Sequence, residues 1–287
     1  MKGTQEVKYL KPETLDEAID LLGHYPQAEL LAGGTDLLVA YKKGRCFPEQ
    51  IVDISSIPEL KGISLEGEKV RIGSMTTFTE LVACELINEK IKALAEAAAS
   101  VGSPQIRNRG TIGGNIVSAS PAADTVTPLI ALDAGVTLTG PGGSRELALC
   151  DFLLGAGRVN IYPGEILTSV TFRLPADFIN TFVKLGRRNA MTISRINLAL
   201  FVQLDNLTFR DARIAAGAVS PNPCRLKAVE ECLIGRTVSK EVLTEAVNVL
   251  AASVCDKIGD RPSAPYKKVA VKGIAWEGFE KLFHQYF

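Results

Sequence analysis

Histidine is nearly absent: His24 and His284 are the only two in 287 residues. That scarcity argues against a histidine-rich metal site and against a hydrolytic triad. Six cysteines (Cys46, Cys84, Cys150, Cys224, Cys232, Cys255) are scattered without any C-x-x-C pair. Their spacing suits neither zinc nor an iron–sulfur cluster, and they read as small buried apolar residues. Charge of one sign is missing as well. Lys plus Arg and Asp plus Glu stand at 32 each, so no net field gathers nucleic acid or an anionic membrane surface. No apolar run approaches the roughly 18 residues of a membrane span, and MKGTQEVKYLKPET has no apolar core of signal-peptide length. A soluble, cytoplasmic protein is expected. The chain also lacks a G-x-G-x-x-G turn, a G-x-x-x-x-G-K-[ST] loop and a G-x-S-x-G elbow, which disfavours a kinase, a dehydrogenase with the usual NAD turn, and a serine hydrolase. Redox chemistry here would have to be carried by an organic cofactor.

Glycine, by contrast, is placed pointedly. LLAGGTDLLV (residues 30–39) stops a strand-like run at Gly33-Gly34 and restarts with helical spacing. A pair there is either a tight turn or a place where backbone N–H groups approach a ligand, most often a phosphate. A second pair, Gly113-Gly114, lies in RGTIGGNIVSASPAAD, about eighty residues on. Hydroxyls at Thr111, Ser118 and Ser120, the amide of Asn115 and the carboxylate of Asp124 make that stretch a polar, closely approachable surface. It suits a long polyhydroxylated ligand with phosphates, or it is two structural turns with surface serines.

The pattern along the chain predicts two domains divided at Pro175, 1–175 and 176–287. Thr14 to Glu17 carries a capping-box pattern for a helix that Gly23 should stop. Residues 28–32 and 50–54 read as buried strands around a helix starting near Thr35. Further on come a strand at 70–73, helices at 78–84 and 88–101, and a Gly-, Ser- and Thr-dense segment at 102–134 too long for an ordinary loop. After Pro175, FVKLG, SRINLALFVQL and ARIAAGAVS read as three strands with turns at Asp205-Asn206 and Ser220-Pro221. Helices near 225–234, 240–255 and 266–281 follow, so the overall class is α+β.

LLAGGTDLL, PQIRNRGTIGGNIVSASPAAD, GEILTSVTF and VKLGRRNAMTISRIN, in this order and spacing, resemble the FAD-binding subunit of the molybdenum hydroxylases, a family that includes xanthine, nicotinate and aerobic carbon monoxide dehydrogenases. PQAELLAGGTD, SPQIRN and GAGRVN bring the separate FAD subunit of bacterial xanthine dehydrogenases nearest. The resemblance implies a two-part FAD-binding domain of the vanillyl-alcohol oxidase (PCMH) type, with subdomains of about 1–57 and 58–175, then a small C-terminal α+β domain. It also implies cofactor contacts. The backbone of Leu31, Ala32, Gly33, Gly34, Thr35, Asp36, Leu37 and Leu38 would wrap the pyrophosphate, with the Asp36 carboxylate turned away to a cap or a neighbour. Thr111, Gly114, Asn115, Val117, Ser118 and Asp124 would touch the flavin, ribityl and ADP portions. Ile166 and Leu167 would pack against the cofactor, and Lys184 would reach it across the domain boundary. The sequence departs from several relatives at Ala190-Met191-Thr192-Ile193, where they carry an aromatic or acidic residue near the ring. No cysteine cluster marks an additional iron–sulfur centre in this chain.

By the same resemblance the chain is an oxidoreductase subunit with no catalytic side chain of its own. Partner subunits would carry the molybdenum cofactor (large) and [2Fe-2S] clusters (small), and the FAD would pass electrons to NAD⁺ or another acceptor during hydroxylation of xanthine or a related N-heterocycle. The rivals are the FAD subunit of a nicotinate or carbon monoxide dehydrogenase, a self-contained FAD oxidoreductase, and a non-enzymatic nucleotide-binding scaffold.

Overall fold

Thr14 begins the first helix, Leu15–His24, in a computed structural model that describes residues 7–45, 48–188 and 191–284. Its hydroxyl accepts from the Glu17 N–H at 3.2 Å, as the pattern requires. The reciprocal bond is displaced by one residue, because the Glu17 carboxylate takes the N–H of Glu13 (2.8 Å). The helix passes through Gly23 and ends one residue later, where the Tyr25 N–H bonds the Leu21 carbonyl. Its buried face, Ala18, Ile19 and Leu22, packs over a three-stranded parallel sheet ordered Lys8–Leu10, Gln50–Asp53, Glu29–Leu31. The first of these strands was not among the sequence expectations.

The second unit is a five-stranded antiparallel sheet ordered Ile63–Glu66, Lys69–Gly73, Ile166–Arg173, Gly135–Gly140, Gly143–Ala148. Its central strand, Ile166–Arg173, joins two cores: Ile166 packs with the first unit's helix and strands, and Leu167 packs in the large core on the other side. Both residues also border the cavity described below.

The helix expected over 88–101 is in fact two, Glu85–Lys90 and Lys92–Ala99, broken at Ile91 (φ −132°, ψ 49°). A distant side chain serves the break. Asn180 accepts from the Ala93 N–H (2.8 Å) and donates to the Lys90 carbonyl (3.1 Å), replacing backbone bonds that the break removes. The polar segment 102–134 folds as three short helices, Pro104–Arg107, Ile112–Val117 and Val126–Ala131.

The C-terminal sheet runs Phe178–Leu185, Ile196–Asp205, Thr208–Gly217, then a two-residue fourth strand, Cys224–Arg225, beyond the three expected. Leu198, Leu200, Val202 and Ile214 face the helices Lys227–Leu233, Lys240–Ile258 and Ala264–Phe283, whereas Phe182, Ala199, Phe201 and Ala215 belong to the core of the preceding sheet and helices. Burial on both faces explains why INLALFV reads as a continuous apolar run. Each such Leu or Val removed from water is worth about 1.5–3 kcal/mol. The edge strand Phe178–Leu185 is covered by a carboxylate: Glu96 accepts from the Phe182 N–H (2.7 Å) and the Thr181 hydroxyl (2.8 Å).

Cysteine burial departs from expectation. Cys84, Cys224, Cys232 and Cys255 are only half-buried and Cys150 is exposed, while Cys46 lies outside the described residues. Cys84 sits at a junction between two short helices, Cys224 on the two-residue edge strand, and Cys150 on a four-residue helix, positions that leave one side open.

Candidate functional site

The two glycine segments meet. A side chain at Gly33 would place its Cβ 1.9 Å from the Arg109 carbonyl oxygen and 3.1 Å from the Gly110 Cα, so Gly33 is where one backbone lies against the other. Gly34 has a different reason to be glycine: its φ is +74°, in the left-handed region. Past this turn the short helix Leu37–Lys42 begins. Among the described residues no acceptor pairs with the N–H groups of 33–37, while the Gly34 and Asp36 carbonyls accept from Leu38 and Ala40. The Asp36 side chain makes no helix cap. Its Oδ2 instead accepts from the Ser118 hydroxyl at 3.1 Å, tying the first segment to the second, and both residues border the cavity described below.

The second segment is closed on itself. Ile112 N–H bonds the Thr76 carbonyl, Gly113 N–H the Ser74 carbonyl (2.8 Å), Gly114 N–H the Thr111 hydroxyl (3.1 Å) and Asn115 N–H the Thr111 carbonyl. A Cβ on Gly113 would fall 2.6 Å from that of Ser74, whereas one on Gly114 would meet only the Thr111 hydroxyl, at 3.0 Å. Asn115 is oriented by the Thr125 hydroxyl, which donates to its side-chain oxygen at 2.7 Å.

Between the segments lies a cavity of about 480 Å³, within the range of about 300–1,000 Å³ common for cofactor-sized sites. Ala32 to Leu37 border it from the first segment, and Thr111, Gly114, Asn115, Val117 and Ser118 from the second, with Ile166 and Leu167 as wall. Sequence reasoning missed Arg45, Ile54, Ser74, Met75, Phe78 and Ile161, which also line it. Single apolar residues on separate strands and helices carry no motif. Arg45 had none either; it pairs with Glu29 at 2.5 Å. Glu29 also accepts from the Tyr41 hydroxyl (2.6 Å), and burial together with that bond pushes the Tyr41 phenol well above its ordinary range.

Four expected contacts lie outside the lining. The Leu31 and Leu38 side chains stack beneath Gly34. Asp124 and Lys184 pair with each other at 2.5 Å, in a buried seam between the second segment and the C-terminal sheet. Asp124 also accepts from Ser194 (2.5 Å) and Asn197 (2.9 Å), and Lys184 donates to the Ser100 carbonyl (3.1 Å). Two charges out of water hold when paired and hydrogen-bonded in this way, not when facing an apolar wall. In the loop where the sequence departs from several relatives, Ala190 lies outside the described residues. Met191 and Ile193 are exposed there, and Arg188 donates to the Met191 carbonyl (2.6 Å).

Whether these residues fit a dinucleotide is answered by the donors and by Ser74. A run of backbone N–H groups without acceptors, in a turn that one glycine opens by positive φ, is a nest for an anion. The buried Ser74 hydroxyl also lacks a partner among the described residues. Apolar walls and a few convergent polar groups complete a cofactor-binding cleft.

Comparison with known proteins agrees. Residues 5–176 match the family described as "FAD binding domain in molybdopterin dehydrogenase", and residues 181–282 match "CO dehydrogenase flavoprotein C-terminal domain". The chain belongs to the FAD-binding medium subunits of the molybdenum hydroxylase family. It is 35% identical over 286 residues to the nicotinate dehydrogenase FAD-subunit of Eubacterium barkeri (97% of this chain, 95% of that one). To the xanthine dehydrogenase FAD-binding subunit of Escherichia coli O157:H7 it is 36% identical over 258 residues (89% and 87%). Among solved structures, a chain of carbon monoxide dehydrogenase from Hydrogenophaga pseudoflava superposes with a TM-score of 0.89 at 32% identity, covering 97% of this chain and 98% of that one. Both chain halves thus have the PCMH-type and C-terminal folds that the resemblance implied. Among the described residues no helix is long and apolar enough to cross a membrane, and no group of three or more metal-binding side chains occurs.

Proposed function

We propose that this chain is the electron-transfer subunit of a cytoplasmic molybdenum hydroxylase complex. It would stand between [2Fe-2S] clusters of a small partner subunit and NAD⁺ or another acceptor, while xanthine or a related N-heterocycle is hydroxylated at a molybdenum cofactor in a large partner subunit. Relatives named for nicotinate and xanthine dehydrogenation support an N-heterocycle.

The observation that carries the reading is the ionisable content of the cavity. Among its described lining residues only Asp36 and Arg45 carry charges, and each is engaged, with Ser118 and Glu29 respectively. A self-contained oxidase would need a proton-handling group over its substrate. A subunit that only holds a redox cofactor needs none. FAD, when bound, supplies hydride and single-electron transfer. The chain's own residues bind and orient it. The N–H groups of 33–37 would hold the pyrophosphate, Thr111, Asn115 and Ser118 would serve hydroxyls and ring heteroatoms, and Ile166 and Leu167 would exclude water from the apolar wall. Asp124 and Lys184 act one step away, fixing the second segment to the C-terminal sheet.

The purified, FAD-loaded chain alone is expected to oxidise neither xanthine nor nicotinate, and to support turnover once combined with its molybdenum and iron–sulfur subunits. Reduction of its flavin absorbance by NADH, under anaerobic conditions, selects NAD⁺ over other acceptors. Oxidation of an N-heterocycle by the isolated pure chain overturns the reading.

A further inference from the structure

We propose that the Ser74 hydroxyl is a direct hydrogen-bonding contact of the bound FAD, an inference that rests on the flavin reading above. Ser74 follows the strand Lys69–Gly73 and is held at both backbone groups. Its N–H donates to the Thr168 carbonyl (2.9 Å), and its carbonyl accepts from Gly113 at the start of the second segment's helix (2.8 Å). The residue cannot withdraw. It is only 3% exposed and borders the cavity.

Its Oγ is the one buried side-chain nitrogen or oxygen among the described residues that has no hydrogen-bond partner. Neighbouring hydroxyls do not share this condition. Thr76 donates to the Gly62 carbonyl (3.1 Å), Thr168 to the Thr137 carbonyl (3.2 Å), and Thr111 accepts from Gly114 (3.1 Å). An unsatisfied buried hydroxyl costs free energy that a folded protein seldom leaves uncompensated. Ile54, Met75, Ile166 and Leu167 border the same cavity and offer no side-chain acceptor, while the side-chain oxygens of Asp36 and Asn115 on that lining already accept from Ser118 and Thr125. A ligand that fills the cavity can bring the missing partner, a polar atom. A dinucleotide has such atoms on ring, ribityl chain and pyrophosphate alike.

The test is Ser74→Ala in the full chain, with FAD affinity measured by fluorescence titration and thermal stability measured with and without flavin. Because no bond within the protein is lost, the flavin-free variant is expected to melt at or above the wild-type temperature. Its Kd for FAD is expected to rise about three- to tenfold, the loss of one net hydrogen bond. A Kd within twofold of wild type overturns the contact. So does a fall in melting temperature of equal size with and without FAD, which would mark Ser74 as structural. Wild-type protein that fails to bind FAD overturns the flavin reading itself, and the contact with it.

Discussion

The two glycine segments look alike in sequence and are built for opposite purposes. In the first, the N–H groups of 33–37 have no acceptor among the described residues; in the second, those of Ile112, Gly113, Gly114 and Asn115 are all spent on Thr76, Ser74 and Thr111. One backbone is left open to an anion, and the other is a strut. Within each pair the labour divides again. Gly33 and Gly113 are glycine because another part of the chain occupies the place of a Cβ, whereas Gly34 and Gly114 border the cavity and a Cβ there would press only on side chains, those of Leu31 and Leu38 at 3.1 Å and the Thr111 hydroxyl at 3.0 Å. Close packing against another part of the chain and a place on the cavity wall thus belong to different glycines.

The largest expected effect comes from the packing glycines. Gly33→Ala forces its Cβ into the Arg109 carbonyl and should destabilise the flavin-free protein by about 3 kcal/mol. Gly113→Ala, against Ser74, should cost about 2–3 kcal/mol. Denaturant unfolding of flavin-free protein measures both, and near-wild-type stability would remove the packing explanation.

The cavity glycines should behave otherwise. Gly34→Ala adopts an unfavourable φ and is expected to cost about 1–2 kcal/mol, along with FAD affinity. Gly114→Ala, inside a helix, should leave flavin-free stability within about 1 kcal/mol of wild type, since alanine's helical preference offsets the Thr111 contact. Its FAD affinity should nevertheless fall, because the added methyl enters the lining. If instead unfolding free energy drops while FAD binding is kept, Gly114 belongs with the packing glycines.

What the sequence made legible follows from how local each cause is. The Thr14 cap, the strand before Gly33-Gly34 with the helix after it, and the continuous apolar run INLALFV depend on neighbours within a few residues or on burial of a whole strand, and they could be read directly. The break at Ile91 could not, because Asn180, which serves it, is 87 residues from Ala93. Ser74 left no trace either: RIGSMTT shows a serine after a strand, and only the folded neighbourhood reveals that its hydroxyl is the one buried side-chain polar group among the described residues without a partner. The seam of Asp124 and Lys184 has the same origin. Family resemblance brought both residues to the site, and the geometry assigns them to each other.

Amide hydrogen exchange, followed residue by residue with and without FAD, tests the contrast between the segments most directly. The account expects the amides of 33–37 to exchange rapidly in the flavin-free chain and to become protected when FAD binds. Those of 112–115 should be protected in both states. Unchanged exchange at 33–37 on saturation with FAD, or protection that appears only at 112–115, would contradict it.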